Sequence, residues 1–134
     1  MFLLTSEAEQ NMGSPDTCLT PTSGTPVPVP YPNISTGVAA NPSTTAMTVI
    51  TDGAPSFSQR TIIQTSQGDE AGTNLGVVSG MVMGPTRFIQ GSAKVFLEGA
   101  LAQRLTSTTG QNGLSMNCSG TAIAPSQVKV QVLG

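Results

Sequence analysis

A repeated alternation of hydrophobic and polar residues organises this chain. Residues 93–99 read Ala-Lys-Val-Phe-Leu-Glu-Gly, and related runs that also end in glycine occupy residues 47–53 and 128–134. Alternation with a period of two predicts a β-strand, because successive side chains of a strand point to opposite faces. One valine lies four residues before each terminal glycine, on the face expected to point inward. We therefore predict that Val49, Val95 and Val130 belong to the core.

Three similar strands predict three similar hairpins. Glycine at the end of each run is expected to form a turn, as at Gly53 and Gly99, and the same role is expected for Gly68, Gly72 and Gly80 in the loop between these two copies. No segment shows a sustained helical period. The sequence therefore predicts an all-β fold, a small cone of three pseudo-threefold-related β-hairpins with long irregular loops.

Prolines at every second position distinguish the segment of residues 13–33. Pro26, Pro28, Pro30 and Pro32 carry no N–H group, and alternate residues of a strand direct their N–H groups at the same edge. Such a segment is expected to form a protected edge strand or a polyproline-like extension. A peptide ligand for an aromatic groove on another protein is the alternative.

The length of 134 residues predicts one domain with a real core. Residues 1–12 carry neither a turn nor a strand signal, so we expect a tail there and a single domain over residues 13–134. Aromatic residues make up only 4% of the chain and tryptophan is absent. Aliphatic side chains and methionine are therefore expected to supply the core.

Charge and hydropathy exclude several classes of partner. The formal net charge is −2, and the five lysines and arginines are scattered, so no basic stripe is available for nucleic acid. No apolar run approaches the roughly 20 residues of a membrane helix. The opening Met-Phe-Leu-Leu lacks the basic region of a signal peptide, so we expect synthesis and folding in the cytoplasm.

Catalysis finds little support among the residues. Histidine is absent, which removes the Ser-His-Asp and Cys-His mechanisms. The pair Asp69 and Glu70 offers an acid and a base, but neighbouring side chains of an extended chain point apart. We expect these two carboxylates to accept N–H groups in a turn and predict no catalytic residue.

The two cysteines, Cys18 and Cys118, leave three states open: buried free thiols, a mutual disulfide, or metal ligands. A cytosolic origin disfavours the disulfide. Zinc would need two more ligands, and without histidine only carboxylates remain. Our leading expectation is that both thiols lie in the core and that the protein holds neither a metal nor a cofactor.

Several ordered motifs resemble the PAAR-like proteins. They are the Gly-Ser-Pro-Asp-Thr-Cys and Val-Pro-Val-Pro-Tyr-Pro-Asn runs of residues 13–33, Gly-Asp-Glu-Ala-Gly at residues 68–72, Val-Val-Ser-Gly at residues 77–80 and Lys-Val-Phe-Leu-Glu-Gly at residues 94–99. The resemblance implies a non-enzymatic tip protein that caps and sharpens the trimeric spike of a type VI secretion system or a related contractile injection machine.

The same resemblance implies partners and a route. One copy would bind each trimer of a VgrG-type β-helical spike protein, with effector proteins as further partners, and would contact the target membrane briefly when expelled. Zinc-binding members use histidines with a cysteine; this chain offers Cys18 and Cys118 as counterparts but no histidine. The rival interpretation is a free-standing β domain that binds carbohydrate or a cell-surface receptor.

Overall fold

The computed structural model describes residues 1–7, 9–22, 24–113 and 115–132. Within them, the chain forms ten β-strands and two short 3-10 helices, Gly37–Ala39 and Pro42–Thr44. The strands are β1 (Gln10–Thr20), β2 (Val27–Thr36), β3 (Ala46–Thr51), β4 (Ala54–Ser56), β5 (Ile62–Ile63), β6 (Thr86–Gln90), β7 (Phe96–Leu97), β8 (Ala100–Leu101), β9 (Thr108–Gln111) and β10 (Cys118–Ala124). The predicted all-β fold is confirmed. None of the described helices is long and apolar enough to span a membrane.

Six strands form one antiparallel sheet in the order β2-β1-β10-β9-β6-β5. The two long strands β1 and β2 pair along most of their length, and β10 pairs with the first part of β1 on its other side. Two separate hairpins, β3-β4 and β7-β8, complete the strands. Strands that are distant in sequence are therefore neighbours, so most of the sheet is formed by long-range pairing.

The proline-rich segment is an edge strand, as predicted. β2 lies at the end of the sheet and pairs with β1 through the edge from which its prolines are turned away. Ile34 continues the proline parity, and its N–H group does point outward, where it donates to the carbonyl of Gln67 at 2.7 Å. Prolines thus remove the donors from the part of this edge that no other segment covers.

The first two copies of the repeat form hairpins with the same turn. Asp52 and Gly53 have φ values of 51° and 87°, and Glu98 and Gly99 have 51° and 83°. Two consecutive residues with positive φ define the type I′ turn that suits the right-handed twist of a hairpin, and glycine reaches this region without steric cost. The equivalence that the sequence predicts for these two copies therefore extends to backbone conformation.

The two hairpins contact each other and share a small hydrophobic cluster. Glu98, in the second turn, accepts a hydrogen bond at 2.8 Å from the backbone N–H of Thr48 in β3. Val49 and Val95 are half-buried and pack against the same cluster. Its buried members come from both hairpins and from both ends of the chain: Leu3, Ala46, Leu97, Ala102 and Val132.

The third copy differs from the prediction. In the part of residues 128–134 that the structure describes, pairing is limited to an isolated bridge between Gln131 and Phe2, whose hydrogen bonds involve the carbonyl of Val130 and the N–H of Val132. Val130 is 42% exposed rather than buried. The side-chain oxygen of Gln127 accepts hydrogen bonds from the N–H groups of Lys129 and Val130 at 2.7 and 2.8 Å. This local turn replaces the extended ladder. The final glycine of the pattern lies outside the described residues.

The predicted N-terminal tail is instead part of the core. Leu3 and Leu4 are buried, and the N–H groups of these residues donate to the carbonyls of Val130 and Gln103, both at 3.0 Å. Burial of large aliphatic side chains drives folding, so burying two leucines is a substantial gain. The domain therefore begins near residue 2, not residue 13.

The interior is unusually polar. A second hydrophobic cluster of Leu4, Phe57, Ile63, Phe88 and Ala122 includes an aromatic pair with ring centroids 5.6 Å apart. Nevertheless, buried polar side chains outnumber buried hydrophobic ones among the described residues. Buried polar groups cost free energy unless they are hydrogen-bonded, so side-chain hydrogen bonds must position much of this fold.

The edge prolines give the first prediction. Replacing Pro28 and Pro30 together with threonine restores two outward N–H donors on an open edge, and we expect concentration-dependent self-association. The matched control replaces Val27 and Val29 with threonine, since these alternate residues direct their N–H groups toward β1. Light scattering should show larger species for the proline variant alone; a monomeric proline variant would contradict the prediction.

Candidate functional site: a buried cluster of carboxylates and thiols

An irregularity in β1 creates the site. Asn11 and Gly13 are buried at odd positions, whereas Asp16 and Cys18 are buried at even ones. The register with β2 shifts between Gly13 and Asp16, so that two residues of β1 face one of β2. Such a bulge re-aims the side chains that follow it. Without it, the carboxylate and the thiol would lie on the opposite face of the sheet.

A glycine-rich loop covers this part of β1. Cys18 forms an isolated bridge with Gly76, and the N–H of Leu19 donates to the carbonyl of Leu75 at 2.8 Å. The loop approaches so closely at Gly72 that a Cβ atom there would lie 2.3 Å from the Cβ of Cys18. Glycine at this position is therefore required by contact, not by a turn, and the loop seals the thiol from solvent.

The loop brings a second carboxylate to the thiol. The Sγ atom of Cys18 lies 3.7 Å from Oδ1 of Asp16 and 3.8 Å from Oδ2 of Asp69. One potential ligand atom from each of these three residues lies within 4.8 Å of the other two, and all three residues are fully buried. Residues 51 or more positions apart in the sequence thus converge on one point.

Three side-chain amides donate to Asp16. The Nδ2 atoms of Asn112 and Asn117 donate to Oδ1, the first at 3.1 Å, and Nδ2 of Asn33 donates to Oδ2 at 3.1 Å. Three side-chain donors from separate segments therefore hold this one carboxyl group in place.

Each amide is held in this orientation by a hydrogen bond that its own oxygen accepts. Oδ1 of Asn112 accepts from the N–H of Gly84 at 2.8 Å, and Oδ1 of Asn117 accepts from the N–H of Val78 at 2.9 Å. Oδ1 of Asn33 accepts from Nε2 of Gln111 at 2.8 Å. A backbone N–H cannot become an acceptor, so rotating either of the first two amides would break two hydrogen bonds at once.

No basic side chain neutralises the cluster among the residues that the structure describes. The salt bridge that the described residues do form joins Lys129 to Asp52 at 3.1 Å on the surface of the protein. Burial raises the pKa of Asp69, and the neighbouring carboxyl of Asp16 raises it further. Two carboxyl groups therefore share a buried site without a protein cation.

Both cysteines are buried, as predicted, and they are not joined to each other. Burial raises the pKa of the Cys18 thiol to about 12, with a further contribution from the charges of Asp16 and Asp69. The same causes raise the pKa of Cys118 to about 12. In the metal-free protein both groups are thus neutral thiols and poor nucleophiles.

The predicted turn glycines divide into two groups. Gly53, Gly68, Gly80 and Gly99 all have positive φ, as a turn role requires, whereas Gly72 does not.

The carboxyl group of Asp69 accepts a hydrogen bond from the backbone N–H of Met83 at 3.1 Å, which is the role expected for it from the sequence.

Sequence reasoning missed the cluster. The Asp16-x-Cys18 spacing, which places both side chains on one strand face, was an available signal. The bulge and the loop that bring Asp69 to them had no counterpart in the hydrophobic pattern.

A third buried carboxyl group lies beside the start of β1. Glu9 is fully buried, and its Oε1 accepts from Nδ2 of Asn11 at 2.9 Å. Its Oε2 and the Oδ1 of Asn11 have no other partner. Burial raises the pKa of Glu9 to about 8, against the smaller opposing effect of the Asn11 hydrogen bond. A protonated Glu9 therefore suits this environment.

A family model for the toxin PAAR-like domain matches residues 9–120, well over half of the chain. No curated protein and no solved structure matches it significantly. The matched range contains the five polar side chains that surround Asp16. They are the amides of Asn33, Asn112 and Asn117, the thiol of Cys18 and the carboxyl group of Asp69. The cluster is therefore part of the matched domain.

The chain belongs to the toxin PAAR-like domain family. PAAR-like membership associates it with the spikes of contractile systems, and the family is a structural, spike-associated or toxin-associated class rather than a known enzyme class.

The amide network gives the second prediction. Asn33→Ala removes donors to Asp16 and Ser66 and leaves the Nε2 of Gln111 without one acceptor. Each buried polar group left unpaired costs about 1–3 kcal/mol, so urea unfolding should show a loss of at least that size. Asn74→Ala, at an exposed site, is the control. Equal losses in the two variants would contradict a structural role for the network.

The third prediction concerns pH. The folded-state pKa of Glu9 is about 8, against an ordinary value of 4.5, so between these pH values the folded state holds a proton that the unfolded state has released. Stability should therefore fall as pH rises through this window. Glu9→Gln cannot ionise, and we expect it to lose less stability than the parent between pH 5 and pH 8.

Melting temperatures at the two pH values measure this difference. Glu70→Gln is the control, because Glu70 is exposed and accepts only the nearby N–H of Gly68. A parent and a Glu9→Gln variant with the same pH dependence would show that Glu9 is ionised in the fold.

Proposed function

We propose that this protein is the non-enzymatic tip of a contractile injection machine, in which one copy caps the blunt end of a trimeric VgrG-type β-helical spike. The observation that carries the proposal is the match to the toxin PAAR-like family over residues 9–120. In this role the protein sharpens the spike and aids puncture of the target membrane. Effector proteins are carried as additional partners.

The repeat supports a threefold partner. The two hairpins with identical turns, together with residues 128–132, bring three related sequence stretches to one hydrophobic cluster. A single chain that presents similar surfaces to three identical subunits reduces the symmetry mismatch between a monomer and a trimer. The third stretch has a different backbone, so the match to threefold symmetry is approximate.

The same end of the molecule exposes large hydrophobic side chains. They are Met47, Ile50, Phe96, Val128 and Val130, between 42% and 66% exposed, and they come from all three stretches. We call this set the repeat-end surface. Clustered exposed apolar side chains are typical of an interaction surface. The repeat-end surface is accordingly the part of the protein that we propose contacts the spike.

The interior suits a part that is driven through an envelope. Buried side-chain hydrogen bonds link β1, β2, β9 and the loop of residues 68–84. Directional bonds of this kind fix a single arrangement, whereas a core of aliphatic side chains alone tolerates repacking. In the proposed route the protein is made in the cytoplasm, assembled on the apparatus and expelled with the spike.

The fourth prediction tests the spike contact. The full chain is co-expressed and purified with the trimeric spike protein of the same genome, and the mass of the complex is measured. We expect one copy per trimer. Ile50→Glu and Phe96→Glu should each weaken binding at least tenfold, because a carboxylate would be buried in an apolar contact.

Val78→Glu provides the matched control. Val78 is 67% exposed but lies in the loop of residues 68–84, away from the repeat-end surface. Its variant should bind the spike normally. A folded parent protein that does not bind, or a stoichiometry other than one to three, would exclude the tip role; equal binding by all three variants would exclude the repeat-end surface as the contact.

A further inference from the structure

The cluster around Cys18 has the chemistry of a cation site. Asp16, Cys18 and Asp69 each direct one potential ligand atom into the same small volume, and two separate segments, β1 and the loop of residues 68–84, hold them there. Carboxylate oxygen and thiolate sulfur are both ligands of zinc. The chain has no histidine, and the two carboxylates therefore take the ligand positions that histidine occupies in many zinc sites.

The charge balance also calls for a cation. Two carboxyl groups and a thiol are fully buried, the amides that surround Asp16 all present donors to it, and no lysine or arginine pairs with either carboxyl group among the described residues. Burying an uncompensated charge is costly, so such a group is neutralised by a proton or by a cation. A cation held by the three converging ligand atoms would provide this neutralisation.

The distances fit zinc. Zn–S bonds of about 2.3 Å and Zn–O bonds of about 2.0 Å in a tetrahedron place sulfur and oxygen ligands roughly 3.5 Å apart. The two sulfur-to-oxygen distances at Cys18 are 3.7 and 3.8 Å. We propose that Asp16, Cys18 and Asp69 bind one structural zinc ion.

The balance of protons and charge is consistent with this assignment. Zinc binding would displace into solvent the thiol proton of Cys18 and any proton on the Asp69 carboxyl group, and one thiolate with two carboxylates would leave the complex with a charge of −1. Nδ2 of Asn112 lies 3.6 Å from Sγ of Cys18 and would donate to the thiolate. Such donors around the ligands stabilise a metal site.

The fifth prediction is that the full-length protein binds one zinc ion. Elemental analysis of protein refolded with Zn²⁺ should give about one equivalent. Replacement by Co²⁺ should produce the near-ultraviolet charge-transfer band of a thiolate ligand. Removing zinc with a strong chelator should lower the melting temperature, because a structural metal contributes directly to folding.

Variants assign the ligands. Cys18→Ser and Asp69→Asn should each weaken zinc binding at least a hundredfold in a competition titration with a coloured chelator. Glu70→Gln, next to Asp69 but exposed, should bind normally and serves as the matched control.

Clear results would overturn the proposal. A folded parent protein without a stoichiometric metal, and with a melting temperature unaffected by chelator, would support the prediction from the sequence that the protein holds no metal. Zinc bound equally well by the parent, Cys18→Ser and Asp69→Asn would place the ion elsewhere. If either variant fails to fold, the Co²⁺ spectrum of the parent decides, since a spectrum without thiolate bands excludes both cysteines.

Discussion

Burial of the Asp16 carboxylate is the constraint on which much of the structure depends. A buried carboxylate requires several donors, and here they come from Asn33 on β2, Asn112 after β9 and Asn117 before β10. In the sheet β10 pairs directly with β9, whereas β2 is joined to both of them through β1. Satisfying one charge therefore fixes the relative positions of segments up to 101 residues apart.

This arrangement explains how a chain with few aromatic residues builds a defined core. The two hydrophobic clusters are small, and neither contains more than five buried residues. Between them lie polar side chains that have specific partners, such as Gln111, which donates to both oxygens of Asn33 and accepts from Thr109. Partners of this kind can be exchanged only at the cost of unpaired groups. The polar interior therefore specifies one packing where hydrophobic area alone is limited.

The hydrophobic pattern predicted those features that depend on local geometry. Alternation and glycine identified two hairpins, since a type I′ turn is encoded by adjacent residues such as Asp52 and Gly53. Proline parity identified the edge strand because each proline removes its own donor. The third stretch was wrong as a strand because the side chain of Gln127 competes for its N–H groups. The alternation of residue types indicates which side chains could share one face of a strand, but it does not indicate that the Gln127 side chain binds these N–H groups.

The site was less accessible from sequence because it arises from a one-residue irregularity. A bulge in β1 reverses the parity of buried positions between Gly13 and Asp16, and a strand pattern read without it places the carboxylate in solvent. The contact between Cys18 and Asp69 spans 51 residues and depends on the close approach of Gly72 to β1. Such a contact follows from tertiary packing rather than from either segment alone.

The repeat-end surface and the buried cluster draw on different parts of the chain. The first is formed by β3, β7 and residues 128–130, whereas the second is formed by β1, the ends of β9 and β10 and the loop of residues 68–84. They share no side chain. A substitution on the exposed surface therefore leaves the donors of Asp16 in place, while a substitution in the cluster acts on stability first. The residues of the repeat-end surface and those of the buried cluster are therefore separate sets, and a substitution in one set does not require a substitution in the other.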